Sequence, residues 1–267
     1  PVAHIEAGLR TNNIYSPFPE EINRRMTTSM ASYHFPPTKR SQQNLLNEGV
    51  PEKNIYLTGN TVIDALFSVI NKAKAINFSK NFLTMMPFMA SKKNLPRIIL
   101  VTGHRRENFG QGFEEICLAL KSIAIQNPKV QIIYPVHLNP NVQEPVVRIL
   151  SDIKNVNLIE PLDYLLFIKL MDVSYIILTD SGGIQEEAPS LGKPVILMRD
   201  ATERQEALEA QTVKLVGSNK EKIIDSVNSL LNNDFEYKKM AKAHNPYGDG
   251  DASEKICRAL ERDFDAS

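Results

Sequence analysis

Short apolar runs rich in β-branched residues alternate along the chain with longer amphipathic stretches. The clearest runs, each bounded by turn residues, predict strands at residues 97–102, 130–135, 175–179 and 194–198. The stretches 113–126 and 142–150 carry the helical period of apolar positions. Strands that alternate with helices in this way predict βαβ units with right-handed crossovers, and therefore a parallel sheet. We expect a doubly wound α/β domain over residues 97–216.

The N-terminal region carries a pattern of its own. Residues 33–35 and 55–57 predict strands, with a helix between them over 38–48, and the opening residues 1–6 predict a strand that runs into a loop. Because nothing precedes that first strand to pair with it, we expect further sequence upstream. Residues 80–94 predict an irregular or helical connection inside the second domain.

Composition narrows the class of protein. Among 267 residues, Lys plus Arg and Asp plus Glu each number 31, so no global field draws the chain toward nucleic acid or an anionic membrane surface. No apolar run approaches the ~20 residues that cross a bilayer, and Cys117 and Cys257 lack the spacing of metal ligands. We expect a cytoplasmic protein with neither nucleic-acid nor membrane partners, in which local charge meets any anionic ligand.

The most informative segment is residues 179–188, Thr-Asp-Ser-Gly-Gly-Ile-Gln-Glu-Glu-Ala, which follows a predicted strand and opens a predicted helix. Small residues at such a turn let backbone N–H groups approach a phosphate, and the helix N-terminus adds positive potential. Glu187 lies in the first turns of that helix, where a carboxylate could accept hydrogen bonds from a ribose. The alternative is an ordinary strand-to-helix turn with Ser181 as the helix cap.

Imidazole groups follow two of the predicted strands. His104, Arg105 and Arg106 come directly after the strand at 97–102, and His137 lies in a proline-framed loop after the next strand. Open α/β sheets bind ligands at the carboxyl ends of their strands, where such groups can hold phosphoryl oxygens or transfer protons. A solvated basic loop is the alternative for the arginine-rich segment.

Two carboxylates and an aromatic ring are further candidates. Glu6 and Glu20 lie on loop-like, proline-framed backbone, where each could act as an acid or a base. The alternative for Glu20 is a helix that begins at Pro19 with acidic residues in its first turn, where they are favoured anyway. Phe167 could stack on a nucleotide base, although a helical apolar residue belongs by default to the core.

A series of segments spans nearly the whole chain: HIEAGLR (4–10), SPFPEEINR (16–24), TGNTVIDAL (58–66), VTGHRREN (101–108), YPVHLNPN (134–141), LTDSGGIQEEAPSLGKPV (178–195), RDATERQEA (199–207) and AHNPYGDG (243–250). Together and in this order they resemble the non-hydrolysing UDP-N-acetylglucosamine 2-epimerases of bacteria. The resemblance implies an α/β fold of two Rossmann-like domains facing a cleft, as in one large class of nucleotide-sugar glycosyltransferases, with the first domain incomplete. By it, residues 1–60 end the first domain, 61–247 form the UDP-binding domain, and 248–267 return to the first domain.

The resemblance also implies a reaction. The family interconverts UDP-N-acetylglucosamine and UDP-N-acetylmannosamine by eliminating UDP and adding it back, a step toward cell-surface polysaccharide. It needs no nicotinamide cofactor and no metal, so we expect no cofactor here. The expected partners are UDP-N-acetylglucosamine, UDP and a second copy of the chain in a homodimer.

Site residues are carried over by matching positions. The family's catalytic residues correspond to Glu6, Glu20 and His104. Its UDP site corresponds to Ser181 and Gly182 on the diphosphate, Glu187 on the ribose, Phe167 near the uracil and Arg204 near the nucleotide. A second, activating nucleotide-sugar site in bacterial members corresponds to Arg105 and His137.

Part of the family pattern has no counterpart in this sequence, namely the N-terminal portion with its first glycine-containing turn and an early catalytic aspartate. Three alternatives stay open. A hydrolysing epimerase would release N-acetylmannosamine and UDP, and a non-catalytic fragment would bind UDP-sugars or pair with a separate N-terminal chain. The third is a glycosyltransferase, against which the epimerase-type motifs around Glu6 and Glu20 argue.

Overall fold

The computed structural model describes residues 1–90 and 95–265. Its elements, in chain order, are β1 (Ala3–Ile5), α1 (Glu20–Met30), β2 (Tyr33–Phe35), α2 (Lys39–Asn47), α3 (Thr61–Ala75), α4 (Lys80–Met85), β3 (Ile98–Thr102), α5 (Gln111–Gln126), β4 (Gln131–Pro135), α6 (Pro140–Leu150), β5 (Val156–Ile159), α7 (Tyr164–Val173), β6 (Ile176–Thr179), α8 (Ile184–Ser190), β7 (Val195–Leu197), α9 (Gln205–Glu209), β8 (Val213–Leu215), α10 (Lys220–Asn232), α11 (Asp234–Ala241) and α12 (Ala252–Asp265). No helix in the described part of the chain has both the length and the apolar character needed to cross a membrane.

The chain divides into two compact units. The first comprises Pro1–Ser68, Ala201–Glu209 and the segment from Asn245 onward, and the second comprises Val69–Asp200 and Ala210–His244. The division falls inside α3, whereas the motifs predict domain limits after residues 60 and 247. Those limits stay predictions.

A parallel sheet of six strands, in the order β5-β4-β3-β6-β7-β8, forms the centre of the second unit. This is the strand order of a dinucleotide-binding Rossmann domain, whose ligand crevice opens where the order reverses, here between the neighbours β3 and β6. Buried side chains of these strands pack with apolar side chains of α5, α6 and α10 in one large core. The expected doubly wound α/β fold is confirmed.

The central strands are the ones that the apolar pattern predicts, since β3, β4, β6 and β7 match the four expected runs, and α5 and α6 match the two expected helices. The pattern does not single out the edge strands β5 and β8. Both are short, and each includes a polar residue, Asn157 or Lys214, that interrupts its apolar run. The expected connection over 80–94 contains α4 and a 3₁₀ turn at Pro87–Ala90; its last part, 91–94, lies outside the described residues.

The first unit contains a two-stranded parallel sheet in which His4 of β1 faces His34 of β2. The strand expected at 55–57 does not form, because only a single parallel bridge joins Ile55 to His34. The helix expected over 38–48 is α2, and α1 begins at Glu20, directly after Pro19, as the alternative for that segment predicts.

Two glycines of the first unit share a left-handed backbone but differ in their surroundings. Gly8 has a φ of +82° and Gly49 a φ of +84°. A Cβ at Gly8 would lie 2.1 Å from the carbonyl oxygen of Ser41 in α2, whereas nothing lies within 4 Å of a Cβ at Gly49. The loop after β1 can therefore approach α2 this closely only with glycine at position 8.

We expect Gly8→Ala to destabilise the first unit more than Gly49→Ala does. A left-handed conformation costs alanine about 1–2 kcal/mol at either position, and the overlap at Gly8 adds about 1–3 kcal/mol of overpacking. Urea unfolding of both variants beside the unchanged protein measures the two losses. Equal losses would contradict the close approach of Gly8 to α2.

Candidate active site

Residues at or after the carboxyl ends of β3, β4, β5 and β6 line a cavity of about 210 Å³ in the second unit. The reversal of strand order brings these strand ends together at one edge of the sheet. The lining residues are Thr102, Gly103, His104, Pro135, His137, Pro161, Leu162, Phe167, Ser181 and Ile184. Four residues that the sequence selects, His104, His137, Phe167 and Ser181, thus border the same space.

Asp180 comes directly after β6 and is fully buried. Its Oδ2 accepts hydrogen bonds from the backbone N–H groups of His104 at 2.9 Å and Arg105 at 2.8 Å. A buried carboxylate is costly unless it is hydrogen-bonded, so these two donors tie the loop after β3 to the end of β6. Sequence reasoning assigns Asp180 no role, because an aspartate at a strand end equally predicts a turn.

His104 is half exposed, and its ring stacks on that of His137, with centroids 5.4 Å apart and planes 16° apart. Partial burial lowers the pKa of His104 below its ordinary value of 6.5; Arg105 and His137 act in the same direction, and the Asp180 carboxylate acts against them. The balance of these influences favours the neutral form of His104, which can accept a proton.

The turn after β6 is not an ordinary strand-to-helix turn capped by a side chain. Gly183 immediately precedes α8, and no side chain caps the helix, so the alternative in which Ser181 caps it is wrong. The backbone N–H of Ser181 instead donates to Thr179 Oγ1 at 2.9 Å. Ser181 lines the cavity, whereas Gly182 is not among its lining residues; both stay predicted phosphate contacts.

Glu187 lies in the first turn of α8, as the sequence predicts, and is buried. Its Oε1 accepts a hydrogen bond of 2.6 Å from the Tyr164 hydroxyl. Burial raises the pKa of Glu187, and the Tyr164 hydrogen bond partly opposes that rise. Sequence reasoning misses Tyr164, which lies at the start of α7 beside the expected base-stacking residue Phe167.

Glu6 is held by two side chains within the first unit. Its Oε1 accepts hydrogen bonds from Arg204 Nη2 at 2.8 Å and from Asn60 Nδ2 at 3.2 Å, and its own φ is +63°. Arg204 is buried, and its Nη1 contacts Glu203 Oε1 at 2.5 Å. The expected catalytic Glu6 and the expected nucleotide residue Arg204 are therefore joined by an ion pair.

The neighbouring carboxylates at the start of α1 have different surroundings. Glu21 is fully buried and accepts hydrogen bonds from the backbone of Thr11 at 3.0 Å and Asn12 at 3.2 Å. It also pairs with Arg25 at 3.3 Å. Glu21 therefore anchors the loop before α1, and Glu20, which is only half-buried, stays the candidate for chemistry.

The selected residues fall in both units. Glu6, Glu20 and Arg204 belong to the first unit, and the second holds His104, Arg105, His137, Phe167, Ser181, Gly182 and Glu187. Within the described ranges, no group of three or more His, Cys, Asp and Glu side chains could hold a metal ion. Both cysteines are free thiols, one buried and one exposed.

Comparison with known proteins identifies the family. A family model described as UDP-N-acetylglucosamine 2-epimerase matches residues 1–261. This chain belongs to the UDP-N-acetylglucosamine 2-epimerase family. The Escherichia coli K12 epimerase of that name is 56% identical over 262 residues, which cover 98% of this chain and 69% of the relative.

Solved structures of epimerases agree with this membership. The Neisseria meningitidis enzyme, determined with UDP-GlcNAc bound, is 51% identical with a TM-score of 0.93, and the match covers 98% of this chain and 70% of that one. The Methanocaldococcus jannaschii epimerase, in complex with UDP-GlcNAc and UDP, is 36% identical with a TM-score of 0.81, covering 98% and 69%. The family resemblance drawn from the motifs and the two-domain α/β fold it implies are thereby confirmed.

We expect Tyr164→Phe to raise the pKa of Glu187 further, because the hydrogen bond that favours its ionised form is lost. The pKa of Glu187 in the folded state lies above the ordinary value of 4.5. Its contribution to the free energy of unfolding therefore falls as the pH rises from about 4.5 through the folded-state pKa. In Tyr164→Phe, the pH range over which this contribution is lost should extend to higher pH. Carbon NMR of the Glu187 carboxyl measures the titration directly.

Tyr237→Phe is the matched control, since Tyr237 stacks on Tyr175 elsewhere in the second unit. It should leave the titration of Glu187 unchanged. An unshifted or lowered pKa in Tyr164→Phe would show that the phenol does not donate to this carboxylate.

Proposed function

We propose that this chain acts in the reversible, non-hydrolysing conversion of UDP-N-acetylglucosamine to UDP-N-acetylmannosamine, which supplies precursors of cell-surface polysaccharide. Membership of the epimerase family over residues 1–261 supports the substrate and the reaction. The structural observation that carries the proposal is the cavity shared by His104, Phe167 and Ser181, at the sheet edge where Rossmann domains receive nucleotides.

The reaction requires an acid and a base around one carbon. A base removes the proton from the carbon that bears the acetamido group, and the electrons of that C–H bond form a double bond as the bond from the neighbouring carbon to UDP breaks. UDP then adds back while a proton arrives on the opposite face, which inverts the acetamido-bearing carbon. Glu6, Glu20 and His104 are the proposed groups for proton transfer and for stabilising the departing UDP.

UDP recognition is proposed for a second set of residues. Phe167 and Ser181 border the same cavity, and they are proposed to contact the uracil ring and the diphosphate of one nucleotide. Glu187, buried beside Tyr164, is proposed to accept hydrogen bonds from the ribose. Arg204 is proposed to lie near the nucleotide while it also holds Glu6.

Arg105 and His137 are proposed to line a second, activating nucleotide-sugar site. What supports a link between this site and catalysis is direct contact, because His137 stacks on His104 and the Arg105 backbone shares the Asp180 carboxylate with His104. A ligand that moves either residue would also move the catalytic imidazole.

A homodimer in the cytoplasm completes the proposal, on the strength of the family resemblance. Light scattering of the purified chain tests the dimer, for which a mass of 30.0 kDa would be the contrary result.

Proton NMR of UDP-N-acetylglucosamine incubated with the purified chain in deuterated water tests the reaction itself. Epimerisation places solvent deuterium on the acetamido-bearing carbon and forms the manno sugar nucleotide. Free N-acetylmannosamine with UDP would indicate a hydrolysing enzyme, and binding without any exchange would indicate a UDP-sugar-binding chain; either result would overturn the proposal.

We expect Glu187→Ala to weaken UDP binding by about 1–3 kcal/mol, because a charged acceptor of ribose hydrogen bonds is lost. Titration calorimetry with UDP and with 2′-deoxy-UDP measures this, and the variant should discriminate less between the two. Glu144→Ala, which removes an exposed carboxylate of α6 paired with Arg148, is the control. Equal UDP affinity in Glu187→Ala and in the unchanged protein would contradict the ribose contact.

We expect His104→Ala to lower the rate of deuterium exchange by about 100- to 10,000-fold, the usual contribution of a positioned proton-transfer group. UDP affinity should change far less, because the proposed UDP contacts lie on other residues. The paired measurement is exchange rate by NMR and UDP affinity by calorimetry. Lost affinity with an unchanged rate would assign His104 to binding instead.

A further inference from the structure

The two carboxylate oxygens of Asp180 have unequal surroundings. Oδ2 accepts from the backbone N–H groups of His104 and Arg105 and lies 3.5 Å from Asn108 Nδ2. Oδ1 is buried and has no hydrogen-bond partner, but it lies 3.6 Å from Nδ1 of the His104 ring. This separation is too long for a hydrogen bond, but it places an imidazole nitrogen close to a buried anionic oxygen.

The backbone bonds make this arrangement specific. Asp180 fixes the peptide of the same residue whose ring it faces, so the ring can move toward Oδ1 only by side-chain rotation. A shift of less than about 1 Å would give the 2.7–2.9 Å of a charge-assisted hydrogen bond. Burial makes that bond favourable, because an unpaired carboxylate oxygen in a low-dielectric site is costly.

His137, whose ring stacks on that of His104, supplies an independent constraint. Its Nδ1 accepts a hydrogen bond of 3.1 Å from the backbone N–H of Asn139, so its proton is on Nε2. The hydrogen bond from Asn139 thus fixes the tautomer of the ring stacked on His104. Neither the His137 ring nor the Arg105 guanidinium offers Nδ1 of His104 an anionic acceptor.

We propose that Asp180 is a positioning residue that holds the proton of His104 on Nδ1 and so leaves Nε2 as the proton-accepting nitrogen. The carboxylate attracts an N–H on the nitrogen that faces it and repels a lone pair there. Free histidine has no such partner, so the tautomer is set by the protein. The consequence for epimerisation rests on the proposed function of His104, whereas the tautomer itself does not.

The groups that face His104 also set the direction of its titration. Asp180 raises the pKa of His104, while burial, Arg105 and His137 lower it. Removing the charge of Asp180 leaves only the lowering influences, so the pKa of His104 should fall. Asparagine is the informative replacement, because its carbonyl can still accept from the two backbone N–H groups while its NH₂ group then faces Nδ1.

Nitrogen-correlated NMR of the imidazoles in the ligand-free chain tests the proposal. In the unchanged protein, His104 should carry its proton on Nδ1. In Asp180→Asn a donor faces that nitrogen, so the proton should move to Nε2 and the pKa should fall. Asp180→Ala, which also loses the loop bonds, should broaden or shift the backbone signals of His104 and Arg105, whereas Asp180→Asn should leave them near their original positions.

Glu187→Gln is the matched control, since it removes another buried carboxylate of the second unit that is not among the groups acting on His104. It should leave the His104 tautomer and pKa unchanged. A proton on Nε2 in the unchanged protein, or an Asp180→Asn variant with retained backbone signals and an unaltered tautomer and pKa, would overturn the proposal.

Turnover gives a second readout. Asp180→Asn should slow deuterium exchange by about 100- to 10,000-fold, with UDP affinity unchanged, and the pH at which activity begins should shift to lower values. If the tautomer responds as expected but His104→Ala leaves exchange intact, the proposed function of His104 fails and the positioning role of Asp180 stands.

Discussion

A buried carboxylate is stable only when it is hydrogen-bonded. In the second unit, Asp180 at the end of β6 accepts hydrogen bonds from backbone N–H groups in the loop after the neighbouring strand β3. Because those donors belong to His104 and Arg105, the cost of burying one charge fixes the loop that carries the candidate chemistry. The hydroxyls of Thr102 and Thr179, 2.6 Å apart, join the same two strand ends. Asn108 extends the connection by donating to the Met198 carbonyl at 3.0 Å. The neighbouring ends of β3, β6 and β7 are therefore held in one arrangement, and residues at two of them, His104 and Ser181, line the cavity.

In the first unit, contacts between side chains, including ion pairs, hold distant segments of the chain together. The segment 201–209 follows β7 of the second unit in sequence but packs with the first unit. Arg204 pairs with Glu6, Thr38 contacts Glu206, and Arg40 pairs with Glu209 at 2.5 Å. The Arg204–Glu6 pair joins a buried guanidinium to a carboxylate whose side chain is 38% exposed, and Arg204 also pairs with Glu203. The position of Glu6 is thus set by a residue almost two hundred positions away.

That distance explains what the sequence can and cannot predict. The apolar period identifies the central strands because they are buried on both faces, and a strand end is a local feature, so His104, His137 and the turn after β6 are found by position alone. Asp180, Tyr164 and Asn60 act through partners that lie 76, 23 and 54 residues away, and no local pattern records those contacts. The boundary between the two units, which falls inside α3, cannot be predicted from the sequence either, because the helix continues across it. The alternative in which Ser181 caps α8 is wrong because the helix begins two residues later, with Gly183 at the cap position.

Asp180, in the turn after β6, and Glu187, in α8, have different surroundings and therefore suit different chemical roles. Asp180 is fully buried but has backbone N–H donors, dipoles that come with the fold and cannot dissociate. Glu187 has a single phenol as its partner, so burial outweighs that hydrogen bond and the pKa rises. A carboxylate of the first kind suits the fixing of another group, since backbone N–H groups already hold one of its oxygens in place. A carboxylate such as Glu187 can still accept hydrogen bonds from a ligand. Each ligand O–H that donates to it offsets part of the free-energy cost of burying its charge. Position along one short segment of chain thus separates a structural anion from a group suited to a ligand.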